Sequence, residues 1–83
     1  MTQHNIDIFR TSDTVLAAYL ISSGCNMPTF DFPNGNKAYF LFSRENFDID
    51  TYVNNFNSGR AIGNIVVFMA AYQNLIRLIK DGR

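Results

Sequence analysis

A chain of 83 residues has room for one domain and no second one, so we treat residues 1–83 as a single domain. Hydrophobic residues make up 47% of the sequence and aromatic residues 14%, which excludes an intrinsically disordered chain. Seven basic residues balance seven acidic ones, so the chain lacks the basic excess that general nucleic-acid binding requires.

The polar N-terminal residues and the most apolar segment of the chain lead us to expect neither export nor insertion into a membrane. Residues 1–5 are polar and do not form a signal peptide, and we expect them to be disordered. The most apolar segment, residues 65–72, is much shorter than the roughly 20 residues that a spanning helix needs. A lone cysteine also suits a reducing compartment, so we expect a cytoplasmic protein with no membrane partner.

A short strand is predicted first, over residues 6–9, because Ile6 and Ile8 share one face of an alternating pattern. Arg10 follows it directly. Its guanidinium could pair with Asp13 or cap the end of the second helix, or it could bind a carboxylate or phosphate of a partner.

The first helix is predicted over residues 13–23. A hydroxyl of Thr11 or Ser12 would cap its free N–H groups, and Asp13 would complement the positive end of the helix dipole. Gly24 supplies the residue that ends such a helix.

A β-hairpin is predicted from residues 27–32 and 37–42, which flank the turn sequence Pro33-Asn34-Gly35-Asn36. A two-residue turn would scatter the phenylalanines over both faces, so we prefer a three-residue loop. One face then holds Phe30, Phe32, Ala38, Phe40 and Phe42, and the other holds Thr29, Asp31, Tyr39 and Leu41.

Two further helices complete the predicted α+β fold. Asp48 would cap the second, with Phe47 before it, and this helix would end near Gly59. The third is predicted over residues 64–80, with an apolar stripe of Ile65, Phe68, Met69, Tyr72, Leu75, Ile76 and Ile79. The order β-α-β-β-α-α predicts a small antiparallel sheet packed against three helices.

The segment Phe9-Arg10-Thr11-Ser12-Asp13, followed by Leu16-Ala17-Ala18-Tyr19-Leu20 and Gly24, resembles the start of a small domain family of unknown function from bacteria and their phages. Members of that family continue through a hairpin rich in Phe and end with a short helix, a break of small residues and a long helix. The resemblance covers residues 8–79. It implies a phage or mobile-element context, hence the host cytoplasm if the gene is viral, and it implies no activity and no functional residues.

The residues that could support catalysis lack partners in the sequence. His4 lies in the polar terminus, and Cys25 has no base placed beside it, so we interpret Cys25 as a small buried hydrophobic residue. Asp48 and Asp50 are interpreted as helix-capping and first-turn residues rather than as a metal or acid-base pair. We therefore expect no enzyme, no catalytic residue, no metal site and no cofactor.

The expected function is a non-enzymatic protein-interaction or assembly module: a host-defence inhibitor, a regulator or a structural subunit. The residues proposed to bind a partner are Arg10, Lys37, Tyr39 and Arg44. The alternative is a nucleic-acid-binding accessory protein in which the aromatic hairpin stacks on bases, although the core is the preferred place for those rings. A third hypothesis is a small-ligand pocket between the sheet and helix three.

Self-association as a homodimer is expected through the third helix. Val67, Ala71 and Leu78 widen its apolar stripe beyond what an ordinary surface helix buries. A small residue between two larger ones would let a symmetry-related helix approach closely. The alternative is that the first two helices bury the whole stripe within one copy.

Overall fold

A computed structural model of the protein describes residues 7–35 and 37–81 and confirms the α+β fold with the predicted order of elements. The expectations for residues 1–5, His4 and Ile6 lie outside the described residues. The elements are β1 (Ile8–Thr11), α1 (Thr14–Ser22), β2 (Thr29–Asp31), β3 (Tyr39–Ser43), α2 (Ile49–Asn57) and α3 (Ile65–Asp81).

The three strands form one antiparallel sheet in the order β1-β3-β2. Phe30 pairs with Phe40, so the predicted register and the face shared by these two residues are confirmed. The predicted strands 27–32 and 37–42 and the three-residue loop are wrong in their bounds, because β2 ends at Asp31, β3 begins at Tyr39 and the pairing ends there. The strand predicted at residues 6–9 is wrong in its bounds, because β1 continues to Thr11, which pairs with Phe40 of β3. Arg10 therefore belongs to a strand rather than to a connection.

The first helix lies at the centre of the core. Its residues Leu16, Ala17, Ala18, Tyr19 and Leu20 are all buried, and five consecutive residues cover more than one full turn. A helix buried all round must be covered on every side. Accordingly, α1 packs against α3, α2 and β1.

The N-cap of α1 is Asp13, so the expectation of a hydroxyl cap from Thr11 or Ser12 is wrong. Asp13 Oδ1 accepts hydrogen bonds from the backbone N–H groups of Val15 at 3.0 Å and Leu16 at 3.1 Å. Thr11 acts one step earlier, because its Oγ1 accepts from the N–H of Asp13 at 3.1 Å. Thr11 is the last residue of β1, where it pairs with Phe40 of β3, and α1 begins three residues later at Thr14.

Replacing Asp13 with Ala should therefore lower the free energy of unfolding by about 0.5 to 2 kcal/mol, because two N–H groups lose their acceptor. Ser12→Ala is the matched control and should change it by less than about 0.5 kcal/mol. Urea denaturation followed by circular dichroism measures both. An equal loss from the two substitutions would contradict the assignment of the cap.

The other helices begin with side-chain caps. Asp48 caps α2, as predicted, and accepts from the N–H and the hydroxyl of Thr51 at 3.3 and 2.7 Å. Phe47 stacks on Tyr52 with ring centroids 4.8 Å apart, which fixes the direction from which the chain enters α2. Asn64 Oδ1 accepts from the N–H groups of the second and third residues of α3.

Three of the four hairpin phenylalanines, Phe30, Phe40 and Phe42, belong to the core as expected, whereas Phe32 follows the end of β2 and is not part of the core. Phe40 and Phe42 are fully buried, and Phe30 meets Phe40 edge to face at 5.4 Å. The largest fully buried side chains are Phe40, Phe42, Leu20, Ile49 and Leu75, so the sheet and all three helices contribute to one core. Within residues 7–35 and 37–81, no helix is long and apolar enough to cross a membrane.

Candidate interaction surfaces

The start of α3 and the loop before it carry exposed aliphatic side chains. Ile62 is 87% exposed, Ile65 and Val66 are each 73% exposed, Val67 is 47% exposed and Met69 is 41% exposed. We call these five residues the apolar end. Single exposed apolar residues are common, but here five large ones fall within residues 62–69, which makes this region the candidate interaction surface.

The apolar end projects because α3 is longer than the helix it packs against. With 17 residues α3 is about 25 Å long, whereas α1 with 9 residues is about 13 Å long. The helices meet through the later turns of α3, where Leu75 is fully buried and Tyr72 and Ile79 are partly buried. Among residues 65–70 only Phe68 is not exposed, so α1 and α2 leave the first turns of α3 largely uncovered within the described chain.

The three residues of α3 that were predicted to mediate self-association differ in their burial. Ala71 packs against the core, Leu78 is half-buried and Val67 is exposed. Ile65 and Met69, which the helical stripe assigned to the core, are exposed. The stripe was wrong for these two residues because it gives direction around the helix axis and not position along it.

A shallow apolar groove of about 270 Å³ lies beside the apolar end. It is lined by Val15, Tyr19, Phe56, Ala61, Ile62, Gly63, Ile65 and Phe68. The rings of Tyr19 and Phe56 stack at 5.8 Å. Small-molecule sites are usually enclosed volumes of about 300 to 1,000 Å³, so this groove is suited to a few side chains of a partner. It lies between helices, whereas the third hypothesis placed a pocket between the sheet and helix three.

Charge is missing from this whole region of the sequence. No Asp, Glu, Lys or Arg occurs in residues 61–76, between Arg60 and Arg77. Arg77 itself donates a hydrogen bond to Asn74, on the later turns of α3. A partner would therefore meet the apolar end without desolvating a charge on it.

Three of the four proposed partner-binding residues do come together, on the face of the sheet opposite the core. The Arg10 guanidinium lies over the Tyr39 ring at 3.8 Å from its centroid, and Lys37 Nζ lies 5.9 Å from the same centroid. The guanidinium thus makes a cation-π contact across two strands. It lies there instead of pairing with Asp13, whose carboxylate caps α1.

Arg44, the fourth residue, is engaged within the molecule. Its Nη1 donates to Asp7 Oδ1 at 2.8 Å and to the carbonyl of Ile8 at 3.2 Å, and its Nη2 donates to Asp50 Oδ1 at 3.2 Å. Burial opposes its charge, but the carboxylates of Asp50 and Asp7 outweigh this, so the pKa of Arg44 is raised. Arg44 therefore ties β1 to the start of α2.

The residues that were weighed as catalytic candidates are engaged in packing, helix capping or ion pairing. Cys25 is buried, as expected, and burial raises the pKa of its thiol, while a backbone hydrogen bond at Asn26 opposes this shift. Asp50 pairs with Arg44, and Asp48 caps α2. Among the described residues, no group of three or more His, Cys, Asp or Glu side chains could hold a metal ion.

Sequence reasoning missed Ile62. It is an isolated aliphatic residue in the loop between α2 and α3, and hydrophobic periodicity does not apply there. The usable signal was local: a large aliphatic side chain stands between small residues, Ala61 and Gly63, in a connection that should be polar.

Residues 7–81 match the model of a family described as a domain of unknown function, DUF5659. This match confirms the resemblance to a small family of unknown function. No curated protein and no solved structure matches the chain.

Proposed function

The chain belongs to the DUF5659 family, and we propose that it is a non-enzymatic protein-interaction or assembly module that binds its partner through the apolar end. The observation that carries this proposal is the exposure of Ile62, Ile65 and Val66 at one end of the molecule. These side chains are mostly exposed to solvent in one copy and contribute little to its core, so a role in association accounts for them.

The size of the apolar end suits a stable contact. Its exposed fractions amount to about three whole aliphatic side chains, and covering them fully would contribute about 5 to 10 kcal/mol. Association costs about 4 to 15 kcal/mol in lost translation, rotation and side-chain freedom. A partner that adds a comparable apolar surface of its own therefore tips the balance toward binding.

The proposal also includes the genetic origin of the protein and the cellular compartment in which it acts. The opening segment with Phe9-Arg10-Thr11-Ser12-Asp13 supports a phage or mobile-element origin, through its resemblance to phage and bacterial domains. The single buried cysteine, Cys25, supports a reducing cytoplasm. A host-defence inhibitor, a regulator and a structural subunit would all use such a surface.

The apolar end is a better-supported interaction surface than the cluster of Arg10, Lys37 and Tyr39. That cluster would serve the alternative function, nucleic-acid binding, because it offers cations beside an aromatic ring. However, Asp31 on the neighbouring strand β2 is the pairing partner of Tyr39, and the chain as a whole carries no net charge. Phosphate contacts need a local positive excess, which one aspartate beside two cations reduces.

A photo-cross-linking residue placed at Val66 tests the proposal in the cells that naturally make the protein. We expect it to capture a protein in defined stoichiometry. The matched control is the same residue at Gln73, which is exposed two turns later on the same side of α3 and should capture little. Absence of a protein adduct at Val66, or equal capture at both positions, would refute a role for the apolar end.

A further inference from the structure

We propose that the partner on the apolar end is a second copy of this chain, so that the protein forms a twofold symmetric dimer. This inference rests on the proposed function and specifies its partner. Three features of the surface carry it: its charge, its shape and its position in the molecule.

The charge of the surface favours a second copy over a different protein. In a twofold contact, residues near the symmetry axis meet their own counterparts, so a charge there would face a like charge. Residues 61–76 carry none. Contacts between different proteins commonly use complementary charges for selectivity, and this surface offers no charge to complement.

The shape of the surface is self-complementary. Ile62 and Ile65 line the groove and are also among the most exposed side chains. The rings of Tyr19, Phe56 and Phe68 line the same groove. A ridge beside a groove lets each copy insert its isoleucines into the groove of the other, and symmetry makes this contact twice.

The position of the surface allows the close approach that this contact needs. Apart from Phe68, the side chains in the first turns of α3 are exposed, so a second copy can reach them without displacing another part of the described chain. The contact is therefore centred on Ile62, Ile65 and Val66. Of the edge predicted from sequence, Val67 joins it, whereas Ala71 packs against the core of its own copy.

The first measurement is light scattering of the purified full chain after size exclusion, from about 1 μM to about 1 mM. We expect the mass to rise from monomer to dimer within this range. A mass that stays monomeric at the highest concentration would overturn the proposal. If such a monomer still forms the Val66 cross-link to a different protein, the proposed function stands and only the identity of the partner was wrong.

The second measurement uses opposite charges at one position. Val66→Glu and Val66→Lys should each weaken the dimer at least about 100-fold, because like charges would meet across the axis. Mixing the two variants should restore a dimer containing one of each, detected by native mass spectrometry. A non-specific apolar contact would not regain its dimer when the two variants are mixed. A mixture that stays monomeric would therefore overturn the twofold arrangement.

The control pair is Gln73→Glu and Gln73→Lys, which should leave the dimer unchanged. Val66 is 73% exposed, so at concentrations where the wild type is monomeric both Val66 variants should melt at the wild-type temperature, as measured by circular dichroism. This separates loss of association from loss of fold. Val66→Glu and Val66→Lys proteins that fold and remain dimeric by themselves would also overturn the proposal.

Discussion

Replacing Phe40 with Ala is expected to remove a large part of the protein's free energy of unfolding. Phe40 is fully buried on β3, the central strand, where it pairs with Thr11 of β1 and Phe30 of β2. Removing a buried phenyl ring costs about 3 to 5 kcal/mol. A domain of this length has about 4 to 12 kcal/mol of stability in total, so the loss is a large part of the whole.

The matched control is Leu41→Ala, on the same strand but on the opposite face of the sheet. Leu41 is only half-buried there, so its removal should cost clearly less than the loss of Phe40. Thermal and urea denaturation of both variants, followed by circular dichroism, gives the comparison. Equal losses of stability would mean that the core does not lie on the Phe40 face.

Replacing Leu75 with Ala should have the next largest effect, about 2 to 5 kcal/mol. Leu75 is the fully buried residue of α3, and α3 packs mainly against α1. The cavity would therefore open where the longest helix joins the core. We expect a lower midpoint in urea with an unchanged slope, which indicates reduced stability of the same fold.

Met69→Ala is the control for Leu75→Ala, because it truncates a large side chain on the same helix. Met69 is 41% exposed, so its removal should cost less than about 1 kcal/mol when the protein is measured as a dilute monomer. If Met69→Ala proved as damaging as Leu75→Ala, the first turns of α3 would be part of the core. The apolar end would then not be a free surface.

Together these variants separate two uses of apolar side chains in α3. Leu75 stabilises one copy, whereas Val66 is expected to act only in association. Substitutions at Leu75 should lower the melting temperature at every protein concentration. Substitutions at Val66 should lower it only at concentrations where the wild type is a dimer, because association stabilises the folded state by mass action.

The sequence by itself determined the elements and their order, because the relevant signals are local. Asp48 and Phe47 define the start of α2 through groups only a few residues away. The hairpin register followed from the alternation of Phe30 and Phe40, since a shift by one residue would move every side chain to the other face. These inferences needed no knowledge of the rest of the fold.

Only the tertiary structure decided which of the proposed partner-binding residues already contact other side chains of the same molecule. Arg44 pairs with Asp7, 37 positions away in sequence, and Arg10 lies on Tyr39 of another strand. Sequence spacing carries no signal for such contacts. They arise from the pairing of β1 with β3, which brings distant segments side by side.

The apolar end is the clearest case of this difference. Periodicity assigned Ile65 and Leu75 to one apolar stripe, because both point to related sides of α3. The structure buries Leu75 and exposes Ile65, since α1 is too short to cover the whole length of α3. Helical periodicity reports the angle of a side chain about the axis, whereas burial also depends on where along the axis another element lies.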